Sequence, residues 1–389
     1  MTVDEGSFRV LLVSLGELNG LLLKLLARMP AVSEIIVATR RSKRTLPTIN
    51  LVRMGAGAEG CFPVIRTVAF DLNEVETAAE TLSTLEPDVT LAAPSLQSWW
   101  VLDRIPPEAA APLRPAPFGA WLPFHLAPMI SLMKAWKNSG LQSAIVSAPY
   151  PDAVNPILAT RGLAPTCGVG NVDEIVPKLQ WRLAERMDVH PGDVRVWLAA
   201  HHALESYVYS SSPRDDPPPY LLRVEVGGCE AGREEDLRSL LLDPCPLPGG
   251  LDFHFLTASS AIRLILALGK AGEGATLLHV PGPDGLPGGY PVVIEERAVR
   301  LALPSTWSRD EAVEVNRASH RWDGIEAIEE DGTVVFTDRT AAILRRTLGF
   351  DWRRMTFDGV HVAASELRRR FDAYLRRFGT VHPASGEAP

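Results

Sequence analysis

FRVLLVSLGELNG (residues 8–20) joins a six-residue apolar run to a glycine-containing turn and the start of a leucine-rich segment. The apolar run has the length of a buried strand, and the leucine-rich segment that continues to Met29 is typical of a helix, which Pro30 would end. A glycine between a strand and a helix lets a ligand approach the backbone at the helix N-terminus. The segment therefore predicts a strand–turn–helix unit with a ligand-binding turn.

The same alternation continues through the first half of the chain. Further apolar runs of strand length lie at 34–38, 64–70, 87–93 and 141–149, and helical segments at 74–85 and 126–136 lie between the last three of them. Strands that alternate with helices predict a parallel sheet covered by helices on both faces. We therefore predict an α/β fold whose N-terminal part is a doubly wound, dinucleotide-binding domain of Rossmann type.

Chain length favours two domains. The protein has 389 residues, of which 46% are hydrophobic, whereas single cores stop growing at about 250–300 residues. We predict a dinucleotide-binding domain at 1–160, an α+β catalytic domain at 161–380 and a disordered tail at 381–389. Near the end of the second domain, Asp331-Gly332 is typical of the turn of a β-hairpin.

Composition argues against several classes of partner. The formal net charge is −8, whereas nucleic-acid binding requires a basic surface. No uninterrupted apolar stretch reaches the roughly 18 residues of a membrane span, and the N-terminus carries acids where a signal peptide carries basic residues. The four cysteines have no metal-type spacing and are expected to be reduced thiols. We expect a cytoplasmic protein that binds neither nucleic acid nor membrane, with a small molecule as its substrate.

The turn after the first strand is the predicted pyrophosphate site. Only Gly16 of a G-x-G-x-x-G pattern is in place, so the motif alone is weak. The position that carries an acidic residue in NAD-binding proteins is instead occupied by Arg40, Arg41 and Ser42. Cations and a hydroxyl at that position match a ribose 2′-phosphate and predict NADP as the cofactor, although a solvated basic loop would have the same composition. The predicted cofactor contacts are Ser14, Leu15, Gly16, Glu17, Leu18, Arg40, Arg41, Ser42, Asp71, Ala93 and Ala148.

Two polar residues in the second half are candidates for proton transfer. Asp173 opens a predicted helix, and His202 ends an apolar strand. A carboxylate that holds one ring nitrogen of a histidine fixes its tautomer and stabilises the imidazolium. The adjacent His201 would point to the opposite face of the strand. A core histidine with satisfied hydrogen bonds is the alternative.

The segment GLAPTCGVGNVDEIVPKLQWRLAERMDVHPGDVRVWLAAHHALESYVY (162–209) resembles the lactate/malate dehydrogenase family. The shared features are a glycine-rich strand end, an aspartate that opens a long helix, and a strand that leads to a histidine. The resemblance implies a catalytic domain of that type, with His202 as the proton-transfer residue and Asp173 as its orienting carboxylate. It also implies a homodimer or homotetramer.

The sequence departs from that family around the substrate. The family's carboxylate-binding arginine corresponds to Val176, and its asparagine after the fifth strand corresponds to Ala148, with Asn155 a short distance beyond. A mobile-loop arginine has no clear match, although Arg104 or Arg114 would lie in that loop. An ordinary 2-hydroxy acid is therefore a doubtful substrate. The predicted substrate-binding residues are Asn155, Val176, Thr257 and Ser259.

The sequence thus predicts an NADP-dependent oxidoreductase that moves a hydride between the nicotinamide and a carbonyl or alcohol, with no metal assigned. One alternative is a nicotinamide- and metal-dependent enzyme resembling the family-4 glycoside hydrolases, with Cys167 and His202 as metal ligands. Another is a non-catalytic NADP-binding protein, because Val176 and Ala148 replace substrate-binding residues.

Overall fold

The computed structural model describes residues 7–40, 42–269 and 274–379. Its largest sheet has six parallel strands in the order β3-β2-β1-β4-β5-β6. The strands are β1 (Phe8–Val13), β2 (Val32–Thr39), β3 (Val64–Ala69), β4 (Val89–Ala92), β5 (Ala144–Ser147) and β6 (Cys167–Gly168). This order reverses between β1 and β4, which confirms the predicted doubly wound domain. The predicted tail at 381–389 lies outside the described residues.

The central strand β1 is buried on both faces, as a parallel sheet requires. Leu11 and Val13 pack on one side of the sheet, whereas Val10 and Leu12 pack on the other. Helices cover both sides. They are α1 (Glu17–Leu26), α2 (Ser42–Ala58), α3 (Val75–Leu85), α4 (Pro107–Ala110), α5 (Leu122–Ser139) and α6 (Pro151–Ala159). The sequence analysis had not assigned α2.

Antiparallel sheets dominate the second half. The sheets β7-β8-β9 and β10-β11-β12 are joined by a bridge between Ala200 and Gly289. The elements are α7 (Val172–Met187), β7 (Val194–Ala199), α8 (Glu205–Val208), β8 (Leu221–Val226), β9 (Cys229–Glu230), α9 (Glu234–Leu242), α10 (His254–Gly269), β10 (Thr276–Pro281), β11 (Gly289–Glu295) and β12 (Ala298–Leu301). This sheet region confirms a catalytic domain of the predicted α+β type.

The C-terminal segment returns to the first half of the chain. Its elements are α11 (Arg309–Ser319), β13 (Ile325–Ile328), β14 (Val334–Phe336), α12 (Asp338–Leu348), β15 (Arg354–Met355) and α13 (Val360–Arg376). The Phe371 ring meets Trp121 edge-on, with 5.5 Å between centroids, and the Tyr374 hydroxyl donates to Ala109 O at 2.9 Å. One hydrophobic cluster thus contains residues from β1 and from α13. The domain boundaries at 160 and 161 stay a prediction.

Within the described residues, one helical stretch, 250–269, is long and apolar enough to meet a simple criterion for a membrane span. In the structure, α10 packs against α1, and its Ala258, Ala261, Leu264 and Ile265 side chains are buried. These contacts are those of a core helix. Cytoplasmic localisation stays a prediction.

Candidate active site

A cavity of about 1180 Å³ lies at the carboxyl ends of the parallel strands, where the sheet meets the second half of the chain. Small-molecule sites in proteins usually measure about 300–1,000 Å³, so this cavity has room for both a cofactor fragment and a substrate. Its walls come from the ends of β5 and β6, the starts of α6 and α7, and the turns around 118, 202 and 322.

His202 lies at this cavity because β7 ends at Ala199 and the chain bends into a helical turn at 202–204. The bridge from Ala200 to Gly289 fixes the strand end, and the His202 backbone N–H donates to Asp152 Oδ1 at 2.9 Å. The Phe118 ring packs on the imidazole, with 4.8 Å between centroids. The imidazole is therefore held on one side and remains 31% exposed.

The carboxylate partner of His202 is Asp323. Asp323 Oδ2 lies 3.0 Å from His202 Nδ1, and its side chain is almost fully buried. Burial opposes the charged imidazolium, but the carboxylates around the ring, with Asp323 the strongest, outweigh that effect and raise the pKa of His202 to about 10. Burial opposes ionisation of Asp323, but His202, His201 and the Tyr150 hydroxyl together outweigh burial and lower the pKa of Asp323. The two groups therefore form an ion pair at neutral pH.

The predicted pairing of His202 with Asp173 is wrong. Asp173 Oδ1 lies 3.4 Å from an Arg263 guanidinium nitrogen and accepts the His279 backbone N–H at 3.3 Å. These partners belong to α10 and β10, and neither Asp173 nor the two partners line the cavity. In this chain, Asp173 joins α7 to its neighbours instead of orienting the histidine.

His201 is fully buried and has its own partner. Its Nε2 lies 3.0 Å from His320 Nδ1, and its Nδ1 accepts the Ala203 backbone N–H at 3.2 Å. Burial lowers the pKa of both histidines, so the pair is neutral. Since His320 and Asp323 share one helical turn, the His201–His320 contact helps to hold Asp323 against His202.

Three more carboxyl groups surround His202 at the cavity wall. Asp152 Oδ1 accepts hydrogen bonds from both the His202 backbone and the Asn171 side chain, and burial raises the pKa of Asp152 to about 7. The carboxyl groups of Glu174 and Glu205 touch each other, and burial raises the pKa of both. Two adjacent buried carboxylates disfavour each other's ionisation, so their contact acts in the same direction as burial on the pKa of Glu174. Glu205 Oε2 lies 4.0 Å from His202 Nε2.

The predicted substrate residues divide into two groups. Thr257 lines the cavity. Asn155 does not, because it is buried and holds Ser147 Oγ at 2.7 Å and Gly282 O at 3.2 Å. Val176 is packed in the core beside β7, and Ser259 donates to Phe255 O within α10. The predictions for Asn155, Val176 and Ser259 are therefore wrong.

The βα turn fits a dinucleotide. Ser14 has a positive φ of 69°, and Gly16 begins α1 with open space where a Cβ atom would stand. Glu17 would repel a pyrophosphate, but Arg104 forms an ion pair with it. Leu18 and Ala148 line the cavity that contains His202, whereas the Ala93 backbone pairs with Val13 beside that cavity. Leu15 lies within the same turn, between Ser14 and Gly16.

A second cavity of about 220 Å³ lies at the ends of β2 and β3. Arg40 and Asp71, both predicted from the sequence, line it together with Thr77 and Thr81 of α3. This is the place where the adenosine ribose of a dinucleotide lies in a doubly wound fold. Arg41 and the Ser42 side chain lie outside the described residues.

Arg104 and Arg114 belong to the segment 103–121, which contains five prolines, and they have different positions. Arg104 lies over the start of α1, where it binds Glu17. Arg114 lines the large cavity and forms an ion pair with Asp103 at 2.9 Å. Short helices at 107–110 and 118–121 give this loop more order than its composition indicates.

Cys167 belongs to β6 and is fully buried, and it does not line the cavity. In the parts of the chain that the structure describes, no group of three or more histidine, cysteine or acidic side chains is arranged to hold a metal ion. The interpretation of Cys167 and His202 as joint metal ligands therefore has no support from the geometry.

The sequence analysis missed Asp323, Asp152, Glu174 and Glu205. Asp152 had a usable signal, since an acid in the first turn after a parallel strand lies at the ligand-binding edge of the sheet. Asp323 had none, because it reaches His202 across 121 positions of sequence.

Comparisons with solved structures agree with this architecture. A lactate dehydrogenase from a Medee basin deep-sea metagenome library has a TM-score of 0.55, with 10% identity over 82% of this chain and 97% of the other. A lactate dehydrogenase from Eimeria maxima, solved with NADH and oxamate, has a TM-score of 0.54, with 12% identity over 82% and 93%. Malate dehydrogenase from Cryptosporidium parvum has a TM-score of 0.54, with 13% identity over 81% and 96%.

No protein-family model matches the sequence, and a search of curated proteins finds no match. At identities of 10–13%, the similarity to these solved structures shows a shared fold and nothing finer. The strand order and the antiparallel second half agree with it. The chain therefore has the fold of the lactate and malate dehydrogenases.

Proposed function

We propose that the protein is an NADP-dependent oxidoreductase that moves a hydride between the nicotinamide and a carbonyl or alcohol substrate. The observation that carries this proposal is the His202–Asp323 pair at a cavity on the carboxyl edge of a doubly wound sheet. The dehydrogenase fold of the solved neighbours supports it.

In the proposed reaction, bound NADPH would supply the hydride to the carbonyl carbon. His202 Nε2 faces the cavity and donates a proton to the carbonyl oxygen, so that an alcohol forms. Asp323 holds Nδ1 at 3.0 Å, which fixes the ring orientation and stabilises its charged form. In the reverse direction, neutral His202 accepts the hydroxyl proton.

The pKa of about 10 for His202 predicts opposite pH profiles for the two directions. Carbonyl reduction needs the protonated ring, so its kcat should be constant near neutral pH and fall above about pH 10. Alcohol oxidation needs the neutral ring, so its kcat should rise with pH toward that value. Profiles of kcat against pH for both directions test this, and an oxidation profile that levels off near pH 6.5 would contradict it.

His202→Asn tests the catalytic role directly. We expect turnover to fall at least about 100-fold, because general acid–base catalysis contributes about 10²–10⁴-fold, while NADPH binding survives. Turnover would be measured as NADPH oxidation across a panel of carbonyl compounds, and binding by nicotinamide fluorescence. Full activity of the variant would rule out the role of His202. Tight NADPH binding by the wild-type protein without turnover would favour the non-catalytic alternative.

Substitution of Arg40 tests whether the protein prefers NADP to NAD. A guanidinium at the ribose 2′-phosphate contributes a charge-assisted hydrogen bond of about 1.5–3 kcal/mol. Arg40→Gln should therefore weaken NADPH binding about tenfold or more and leave NADH binding unchanged. Titrations with both nucleotides measure this, and Arg66→Gln, which removes a surface guanidinium bound to Glu34, is the matched control. Equal losses for NADPH and NADH would contradict the assignment.

We also propose that the protein is a homo-oligomer. The contiguous helices α2, α1, α10 and α7 expose several large apolar side chains, which are Leu46, Leu51, Met54, Trp181, Met187 and Phe255. Exposed apolar groups of this kind are typical of protein interfaces. Light scattering should show a dimer or tetramer, and Trp181→Lys should shift it toward monomer. A monomeric wild-type protein at micromolar concentration would contradict this proposal.

A further inference from the structure

The wall around His202 is rich in hydrogen-bond acceptors. Asp152, Glu174, Glu205 and Asp323 all contribute carboxyl groups to the cavity lining. Buried Glu205 Oε1 has no protein partner, and neither does buried Asn171 Oδ1. Carboxyl and amide oxygens accept hydrogen bonds, so residues of this kind in the lining favour a substrate that brings donors.

The same wall is unsuited to a carboxylate next to the reacting carbon. Val176 is in the core, and Arg263 is bound to Asp173, and none of these three residues lines the cavity. A 2-oxo or 2-hydroxy acid that reacts at His202 would therefore place its carboxylate against the carboxyl groups around that histidine. Like charges held close together in a cavity cost binding free energy.

A proton shared between Glu174 and Glu205 would favour hydroxyl groups over an ammonium. A carboxyl pair that holds one proton can both donate and accept, as a hydroxyl does. Thr257 already donates its hydroxyl to Glu174 in this arrangement. An ammonium group donates hydrogen bonds and accepts none. It would therefore use the acceptors of the wall and leave a donor of the carboxyl pair without a partner.

The mouth of the cavity has the opposite polarity. Arg214 and Arg321 line it and are exposed, and neither forms an ion pair with a carboxylate within the described ranges. The Arg214 guanidinium lies 4.1 Å from the Tyr207 ring centroid and donates to Ser206 O at 2.9 Å. Trp322 Nε1, next to Arg321 in sequence, donates to Asp216 O at 3.2 Å, which joins the two loops that carry the arginines. Both guanidinium groups are therefore available to an anion at the cavity.

From these two surfaces we infer that the substrate is a polyhydroxylated carbonyl compound, or the corresponding polyol, with a phosphate or carboxylate at its far end. Its hydroxyl groups would meet Glu174, Glu205 and Asn171 beside His202, and its anionic group would meet Arg214 and Arg321. This inference rests on the proposed function, since His202 defines the reacting end.

The test compares affinities of matched probes for the NADP-loaded protein by calorimetry. The probes are sorbitol 6-phosphate, sorbitol, glucosamine 6-phosphate and 2-hydroxyhexanoate. We expect sorbitol 6-phosphate to bind at least about tenfold more tightly than the other three, since each charge-assisted contact corresponds to about tenfold or more in affinity.

Variants of the cavity arginines test the phosphate contact. Arg321→Gln and Arg214→Gln should weaken the binding of sorbitol 6-phosphate and leave the binding of sorbitol unchanged. Arg317→Gln, on the surface outside the cavity, should change neither affinity. Glu205→Gln should weaken both polyols.

Several results would overturn the inference. They are tighter binding of 2-hydroxyhexanoate than of sorbitol 6-phosphate, a tenfold preference for the ammonium probe, undetectable binding of both polyols, or a phosphate affinity that neither cavity arginine affects. A cooperative thermal unfolding transition of each variant would show that the variant is folded. If NADPH binds and a simple 2-oxo acid is reduced in a His202-dependent manner, the proposed function stands and this inference fails; absence of NADPH binding would reject both.

Discussion

At the scale of single residues, the site depends on which carboxylate reaches the histidine. Asp173 opens α7, but the partners that it contacts lie on α10 and β10. Asp323 comes from the turn before β13 and takes the position beside His202 Nδ1. The chemical pair that the sequence predicted is therefore present, with a different acid supplied by a segment far along the chain.

Asp323→Asn should show the strength of this pair. Loss of the carboxylate removes the main charge that holds the proton on the ring, so the pKa of His202 should fall by about 1–3 units. Histidine titration by NMR measures the change. Asp331→Asn, at the exposed turn of the β13–β14 hairpin, is a control that should leave the His202 titration in place. An unchanged His202 pKa in Asp323→Asn would refute the pairing.

The same pair predicts how stability depends on pH. His202 has a raised pKa in the folded state, so its contribution to the free energy of unfolding is fully present below its ordinary pKa of 6.5 and disappears as pH rises through about 10. The stability difference between wild type and Asp323→Asn should therefore shrink between pH 6.5 and 10. Urea unfolding across this range measures it, and a difference that grows with pH would contradict the assignment.

At the scale of secondary structure elements, glycines decide how closely β6 and α6 approach. A Cβ atom on Gly168 would lie 2.2 Å from Pro151 Cβ, so no side chain fits between the strand end and the helix start. That junction places Asp152 behind His202. Gly20, in the middle of α1, has open space instead.

Gly168→Ala and Gly20→Ala should therefore act in opposite directions. Gly168→Ala forces the junction apart and should lower the free energy of unfolding by about 1–3 kcal/mol, as overpacking does. Gly20→Ala should raise it by about 0.5–1 kcal/mol, because alanine is the better helix former. Urea denaturation compares them, and equal effects would show that the junction is looser than the structure indicates.

At the scale of the whole molecule, the C-terminal segment belongs to the same core as the dinucleotide-binding half. Phe371 of α13 is fully buried against Trp121, and residues of β14 and α12 join the same cluster. The segment therefore stabilises the first half of the chain while the turn before it supplies Asp323 to the site.

Phe371→Ala should destabilise the whole molecule. Removal of a buried phenylalanine costs about 3–5 kcal/mol, and we expect one cooperative unfolding transition at lower temperature, with no separate early transition. Val362→Ala, on the same helix with a side chain that is 63% exposed, should change stability by less than about 0.5 kcal/mol. Calorimetry tests both, and a separate low-temperature transition would show that the C-terminal segment unfolds independently.

The sequence alone determined the parallel sheet, the glycine turn and the candidates His202 and Arg40, because strands, turns and strand ends are encoded in local residue patterns. The tertiary structure alone decided that Asp323 holds His202, that Asp173 and Asn155 are structural, and that the carboxyl groups of Glu174 and Glu205 lie in contact. Partners that lie far apart along the chain meet only after packing, so no local pattern specifies them. Burial then sets their protonation, because the pKa of a carboxyl group depends on which charges and how much water remain around it.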